Sequence, residues 1–285
     1  MAEMKRPKLG RHRGPVNPKV PHWSALRFRL GAPPLQPLPA NGVDNTDGVA
    51  SFGMMGNDVV GDCTCAAYYH SRQIWALGTA TVPVSGILNM DGNAATSPDA
   101  ITLYERITGY NPNAKPDANG NNPTDRGADE NVVLKYLLTT GAPVGNGSGP
   151  PDKLLAYVQL DPRNQDDLKY AIWECGVAYI GFQCPMSWRT NDYSALKVWD
   201  APRDNSDPPD PDEGHAVVLV AFDNTNFKAV SWGAIYTVTP AFVQTYVDQA
   251  FALADRLWVT QSGQTPLGYT AAQLEQLMNA IKQGS

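Results

Sequence analysis

Cys63 stands directly after Gly61-Asp62 and opens a stretch, residues 63–77, in which Ala66, Ala67, Ile74 and Leu77 recur at helical spacing, with Asp62 the expected N-cap. A cysteine at a helix N-terminus is held closer to its thiolate, because the dipole and the free N–H groups stabilise negative charge. Nucleophilic sulfur chemistry needs, besides that thiolate, an imidazole to form and hold it and donors for an oxyanion. Cys65 lies two residues on, roughly 200° around the helix, so it points away from any cleft that Cys63 lines and reads as core packing. Cys63-Thr64-Cys65 is not a metal knuckle, and no Cys/His spacing in the chain suggests zinc. No cofactor is expected.

The run Asn57-Asp58-Val59-Val60-Gly61-Asp62-Cys63-Thr64-Cys65-Ala66-Ala67 resembles the active-site segment of bacterial and phage papain-like cysteine peptidases. A second segment, Gly214-His215-Ala216-Val217-Val218-Leu219-Val220-Ala221-Phe222-Asp223, resembles the family's histidine strand, and the order and spacing of Cys63 and His215 suit the family. The resemblance implies that Cys63 is a nucleophile and His215 its general base and acid. It implies that Asn57, six residues before Cys63, stands where the family places its oxyanion-hole glutamine, one methylene shorter. Val230-Ser231-Trp232-Gly233 is similar to the family's Asn-Ser-Trp-Gly, with Trp232 shielding the pair from water. The expected asparagine position holds Val230, so orientation of the imidazole must come from elsewhere. Gly61, Asp62, Ser231 and Trp232 are supporting residues in this scheme. The function implied is a thiol hydrolase of peptide or amide bonds. The alternative is a weak or inactive papain-like domain serving as a structural or binding module.

The elements that would position these residues alternate in period. Helices are expected over 63–77, 98–108 (capped by Ser97), 130–140 (capped by Asp129) and 165–175 (closed by Gly176). Strands are expected over 177–184, 215–222 and 227–232, then helices 240–253 and 270–282 around a short strand at 256–260. Residues 111–127, 142–152 and 201–213 read as Gly-, Asn- and Pro-rich loops. Helices first and strands later give an α+β chain, and the resemblance makes it the papain-like two-lobed fold. A helical lobe over 43–160 would carry the cysteine, a sheet or barrel-like lobe over 161–263 the histidine, and 264–285 a last helix.

Ahead of this body lies an arm, residues 1–42, with prolines every few residues from Pro15 to Pro39, which should run extended across a surface. Residues 1–30 carry a net charge of +7 and the remainder −13. A basic arm on an acidic body suits docking on its own body, on a protein partner or on a neighbouring subunit, or a solvated tail. It also suits a pro-segment. With only Trp23 and Phe28 interleaved, it does not read as a nucleic-acid binder. No apolar run approaches the roughly 20 residues of a membrane span, and no apolar h-region follows the basic N-terminus, so an intracellular or virion-associated protein is expected.

Overall fold

The computed structural model describes residues 7–15, 17–18, 20, 22–23, 36–49, 51–76, 99–145, 149–259 and scattered positions beyond. The expected Ser97 cap and the helix at 270–282 fall largely outside these residues. Helix α1, Cys63–Ala76, is buried along its whole length. It is braced by α2, Asp99–Thr108, and α3, Glu130–Thr139, to make the helical lobe. Asp129 caps α3 through its carboxylate, which accepts from the Asn131 N–H at 2.6 Å. Helix α4, Gln165–Cys175, is capped by Asn164 and ends on Gly176 at φ +81°, the left-handed turn that glycine adopts without strain.

The second lobe is built on an eight-stranded sheet: β1 Val43–Asp44, β2 Ala156–Gln159, β3 Ala178–Pro185, β4 Val198–Trp199, β5 Pro209–Phe222, β6 Phe227–Ser231, β7 Ala234–Val238 and β8 Val247–Ala254. Its order is β2-β8-β3-β5-β6-β7-β4, with β1 on the end of β5, and every pairing is antiparallel except β4 with β7. Side chains alternate across a strand, and here both faces are covered. Ala216, Val218 and Val220 of β5 join Tyr179 of β3 in the core shared with α1. Val217 and Leu219 join Ala178, Ile180 and Phe182 in a second core. That double burial explains why β3 and β5 read as near-continuous apolar runs rather than alternating ones.

Three expected elements differ. The helix expected over 240–253 stops at Tyr246 (α5, Pro240–Tyr246), and Val247–Ala254 is the strand β8. Its apolar residues fit a helical period, but β8 is hydrogen-bonded to β2 on one side and β3 on the other, and that pairing prevails. The strand expected at 256–260 is instead the short helix α6, Arg256–Val259, whose start is tied by the Asp255 carboxylate accepting from the Leu257 N–H at 2.8 Å. The loop expected over 201–213 becomes strand from Pro209, where β5 meets Pro185 of β3. No helix among the described residues is long and apolar enough to cross a membrane.

Candidate active site

Cys63 is the first residue of α1, 1% exposed, and the backbone N–H groups of Ala216 and Gly10 point at its sulfur. Ala216 follows His215 on β5, so the helix-borne cysteine meets the sheet at the histidine's own strand. The expected cap is absent. The Asp62 backbone carbonyl accepts from the Ala66 N–H, but its buried carboxylate bonds none of the free N–H groups of the helix, and burial pushes that carboxyl well above the usual carboxylate range.

His215, the residue before Ala216 on β5, stands opposite Phe182 of β3 in the strand register. Its ring stacks on Trp232 at 4.4 Å and 16° and meets Phe182 edge-on at 5.7 Å. Nε2 lies 2.7 Å from the Ser231 hydroxyl, while the buried Nδ1 has no hydrogen-bond partner. This resolves the matter of Val230. Val230 packs into the core shared with α1, away from the imidazole, whereas the next residue along β6, Ser231, takes the histidine's face. Trp232 and Gly233 form the two-residue turn between β6 and β7, both with positive φ, as the tight hairpin turns require. A tryptophan at φ +45° is strained, and its stacking on His215 accompanies that strain.

Asn57 is 2% exposed, and its amide donates to the Val60 carbonyl at 3.1 Å, so in this state it is turned to its own loop. Gly61 donates its N–H to Asp125 Oδ1 at 3.0 Å, which in turn accepts from the Tyr104 hydroxyl at 3.0 Å. Trp232 walls the aromatic cluster that holds Trp188, Tyr193 and Trp199.

The cleft between the lobes is filled by the arm. The Tyr193 hydroxyl donates to the Pro7 carbonyl, and Lys8 N–H donates to the Asn57 carbonyl at 2.9 Å. Gly10 then passes so close to Gly61 that a Cβ would overlap the Gly61 carbonyl. On its other side the Gly10 carbonyl accepts from the Ala128 N–H at 2.8 Å, Arg11 N–H donates to the Gly214 carbonyl at 3.2 Å, and His12 N–H donates to the Ala128 carbonyl at 3.0 Å. Arg11 turns inward and its side chain is fully buried, with Nε on Glu130 Oε1 at 2.5 Å and Nη2 on Asp248 Oδ1 at 2.5 Å. Of the arm's expected destinations, the described part takes its own body.

The electrostatics are those of a covered site. Burial pushes the Cys63 thiol up to about 12, against the pull of the two N–H groups, with Asp62 and Glu130 adding to the rise. Burial pushes the His215 imidazole down to about 3, helped by the nearby charges of His70 and Arg11. Thiol and imidazole are therefore both neutral near pH 7. His70, one of the scattered histidines of the sequence, lies buried on α1 with Nε2 3.2 Å from the Gly53 carbonyl, and burial lowers it to about 4. Sequence reasoning also missed Arg11, Glu130, Gln183, Asp248 and Gln249.

A cysteine opening a buried helix, a histidine on a central antiparallel strand and a cleft between the two lobes define the papain-like cysteine-peptidase fold. The chain is similar in structure to xylellain, a cysteine protease from Xylella fastidiosa, at 15% identity and a TM-score of 0.60 over 90% of this chain and 98% of that one. It is also similar to bromelain from Ananas comosus, solved with the E64 inhibitor, at 11% identity and 0.51 over 76% and 99%. The likeness to proCathepsin B S9 from Trypanosoma congolense is 11% and 0.51 over 87% and 86%. No known family's profile matches the chain, and no curated protein does.

Proposed function

We propose that the chain is a thiol hydrolase of peptide bonds, held here in a covered state by its own arm. The observation that carries this reading is the arm's backbone laid over Cys63 and hydrogen-bonded to Ala128 of one lobe and Gly214 of the other, the lie a bound peptide needs. Lifting the arm returns water to Cys63 and His215 and removes the burial that keeps both neutral. With Nε2 held by Ser231, the free Nδ1 is the nitrogen left to take the thiol proton. The thiolate attacks the carbonyl carbon, forming the S–C bond while the carbonyl oxygen becomes an oxyanion. The Cys63 N–H and the Asn57 amide, swung off the Val60 carbonyl, donate to that oxyanion. His215 gives its proton to the amine as the C–N bond breaks, and water, deprotonated by the same imidazole, releases the acyl group.

Turnover of a quenched-fluorescence peptide mixture by a chain whose arm is released by Gly10→Val, compared with the same chain carrying Cys63→Ala, tests the reading. Cys63→Ala is expected to abolish it; equal turnover by the two chains would overturn it. If a chain with its arm released shows no Cys63-dependent turnover, a binding or structural module is the better description.

A further inference from the structure

The Arg11 guanidinium occupies a socket built from three elements. Nε donates to Glu130 Oε1 of α3 at 2.5 Å, Nη1 to Gln183 Oε1 of β3 at 3.1 Å, and Nη2 to Asp248 Oδ1 at 2.5 Å and Gln249 Oε1 at 3.0 Å, both of β8. Every partner is an acceptor, as a guanidinium requires, because it offers five donors and no acceptor. The two glutamines are fixed in that sense by their other ends. Gln183 Nε2 donates to the Asp210 carbonyl at 2.9 Å, and Gln249 Nε2 to the Gly14 carbonyl at 3.2 Å, so both amide oxygens face the socket.

Space for the side chain comes from a missing one. A Cβ at Gly181 would overlap the Glu130 carboxylate and crowd Arg11 Nε. A compact ammonium would satisfy one or two of these acceptors; the planar fork satisfies all four. The position of the socket relates it to the chemistry. Arg11 is the neighbour of Gly10, whose backbone lies over Cys63, and its own N–H is bonded to Gly214, the residue before His215.

We propose that this socket is a recognition site for the arginine side chain of a peptide ligand, which the arm occupies with its own Arg11, and that the peptides it selects carry arginine within two residues of the bond lying over Cys63. The second clause rests on the hydrolase reading; the first does not. Two carboxylates, Glu130 and Asp248, face one guanidinium, and burial raises Glu130 to about 7 even beside it. The rim extends the preference, since Arg13 Nε lies 3.2 Å from Asp248 Oδ2.

The full chain carrying Arg11→Ala provides the test. N-propylguanidinium is expected to raise its melting temperature, while N-propylurea and propylammonium at equal concentration leave it unchanged. Acetylated peptide amides with arginine near the scissile bond are expected to exceed their citrulline counterparts by about tenfold or more in kcat/KM, a preference that Asp248→Asn reduces. If Arg11→Ala does not fold, the same readings are taken on Arg11→Gln. Equal stabilisation by all three small probes overturns the site, as does cleavage indifferent to arginine. Selective guanidinium binding without cleavage of any peptide upholds the site and overturns the hydrolase reading alone.

Discussion

Gly10→Val attacks the arm at its tightest point while leaving the side chains of Cys63, His215 and Arg11 unaltered. A Cβ at residue 10 meets the backbone of Gly61, which sits at the start of a fully buried helix and cannot retreat, so the arm must lift. Four main-chain hydrogen bonds are lost with it: Lys8 to Asn57, Ala128 to Gly10, Arg11 to Gly214 and His12 to Ala128. At about 1 kcal/mol net each, they amount to about 4 kcal/mol, or about a thousandfold in the fraction of molecules with the cleft open. In the docked chain the Cys63 thiol is pushed up to about 12, so alkylation at pH 7 proceeds through the open fraction alone. Iodoacetamide labelling at pH 7, mapped by mass spectrometry, is therefore expected to be about a hundredfold to a thousandfold faster at Cys63 in Gly10→Val than in the unaltered chain. Cys65 and Cys175, buried away from the arm, serve as internal reporters of global unfolding and should stay unlabelled. A Cys63 rate within about threefold of the unaltered chain, or labelling of all three cysteines together, would rule out the arm as the cover over Cys63.

Other outcomes follow from the same geometry. Ser231→Ala removes the partner of His215 Nε2 and should lower kcat by about tenfold to a hundredfold with little change in KM, with Ser231→Asn restoring part; steady-state kinetics check this. Trp232→Ala takes away the ring stacked on His215 and should cost about 3–5 kcal/mol in urea unfolding. His70 is lowered to about 4 in the fold, below its ordinary value, so the unfolded chain binds its proton first. That contribution to stability is complete above about pH 6.5 and is lost as pH falls toward 4. Urea unfolding of the unaltered chain against His70→Gln should therefore show a stability difference that grows by about 2–3 kcal/mol from pH 4 to pH 6.5, whereas a flat difference would contradict it.

The segments around Cys63 and His215 were legible because each couples a local signal to an element: a cysteine at a helix start and a histidine heading an apolar strand. The helix over Cys63–Ala76 and the strand ending at Phe222 lie where the periodicity puts them. Strand β8 was not legible, because a strand buried on both faces shows no alternation and its apolar spacing mimics a helix. Nor could the register of β6 be read. The resemblance by itself drew attention to residue 230, but alternation across the strand gives the imidazole's face to Ser231. Arg11 carried no mark at all among the eight basic residues of the first thirty. Its four acceptors come from segments up to 238 residues away, which only the folded chain gathers. The glycines that make room, Gly10 and Gly181, were the nearest thing to a signal, each a gap whose purpose depends on a neighbour distant in sequence.

Over residues 8–12 the arm's hold on the cleft is made of main-chain hydrogen bonds and of the Arg11 side chain, with Leu9 packed against the core. Lys8 and His12 contribute through their peptide groups, so their side chains are open to drift, whereas a Cβ at Gly14 would overlap the Asp129 carboxylate and Val20 joins the core. Such a latch has a two-letter address, glycine then arginine. A library that randomised Lys8 and His12 should return folded, covered proteins in most members, which makes these two positions the place where the arm's tightness could be graded without rebuilding the lobes it closes.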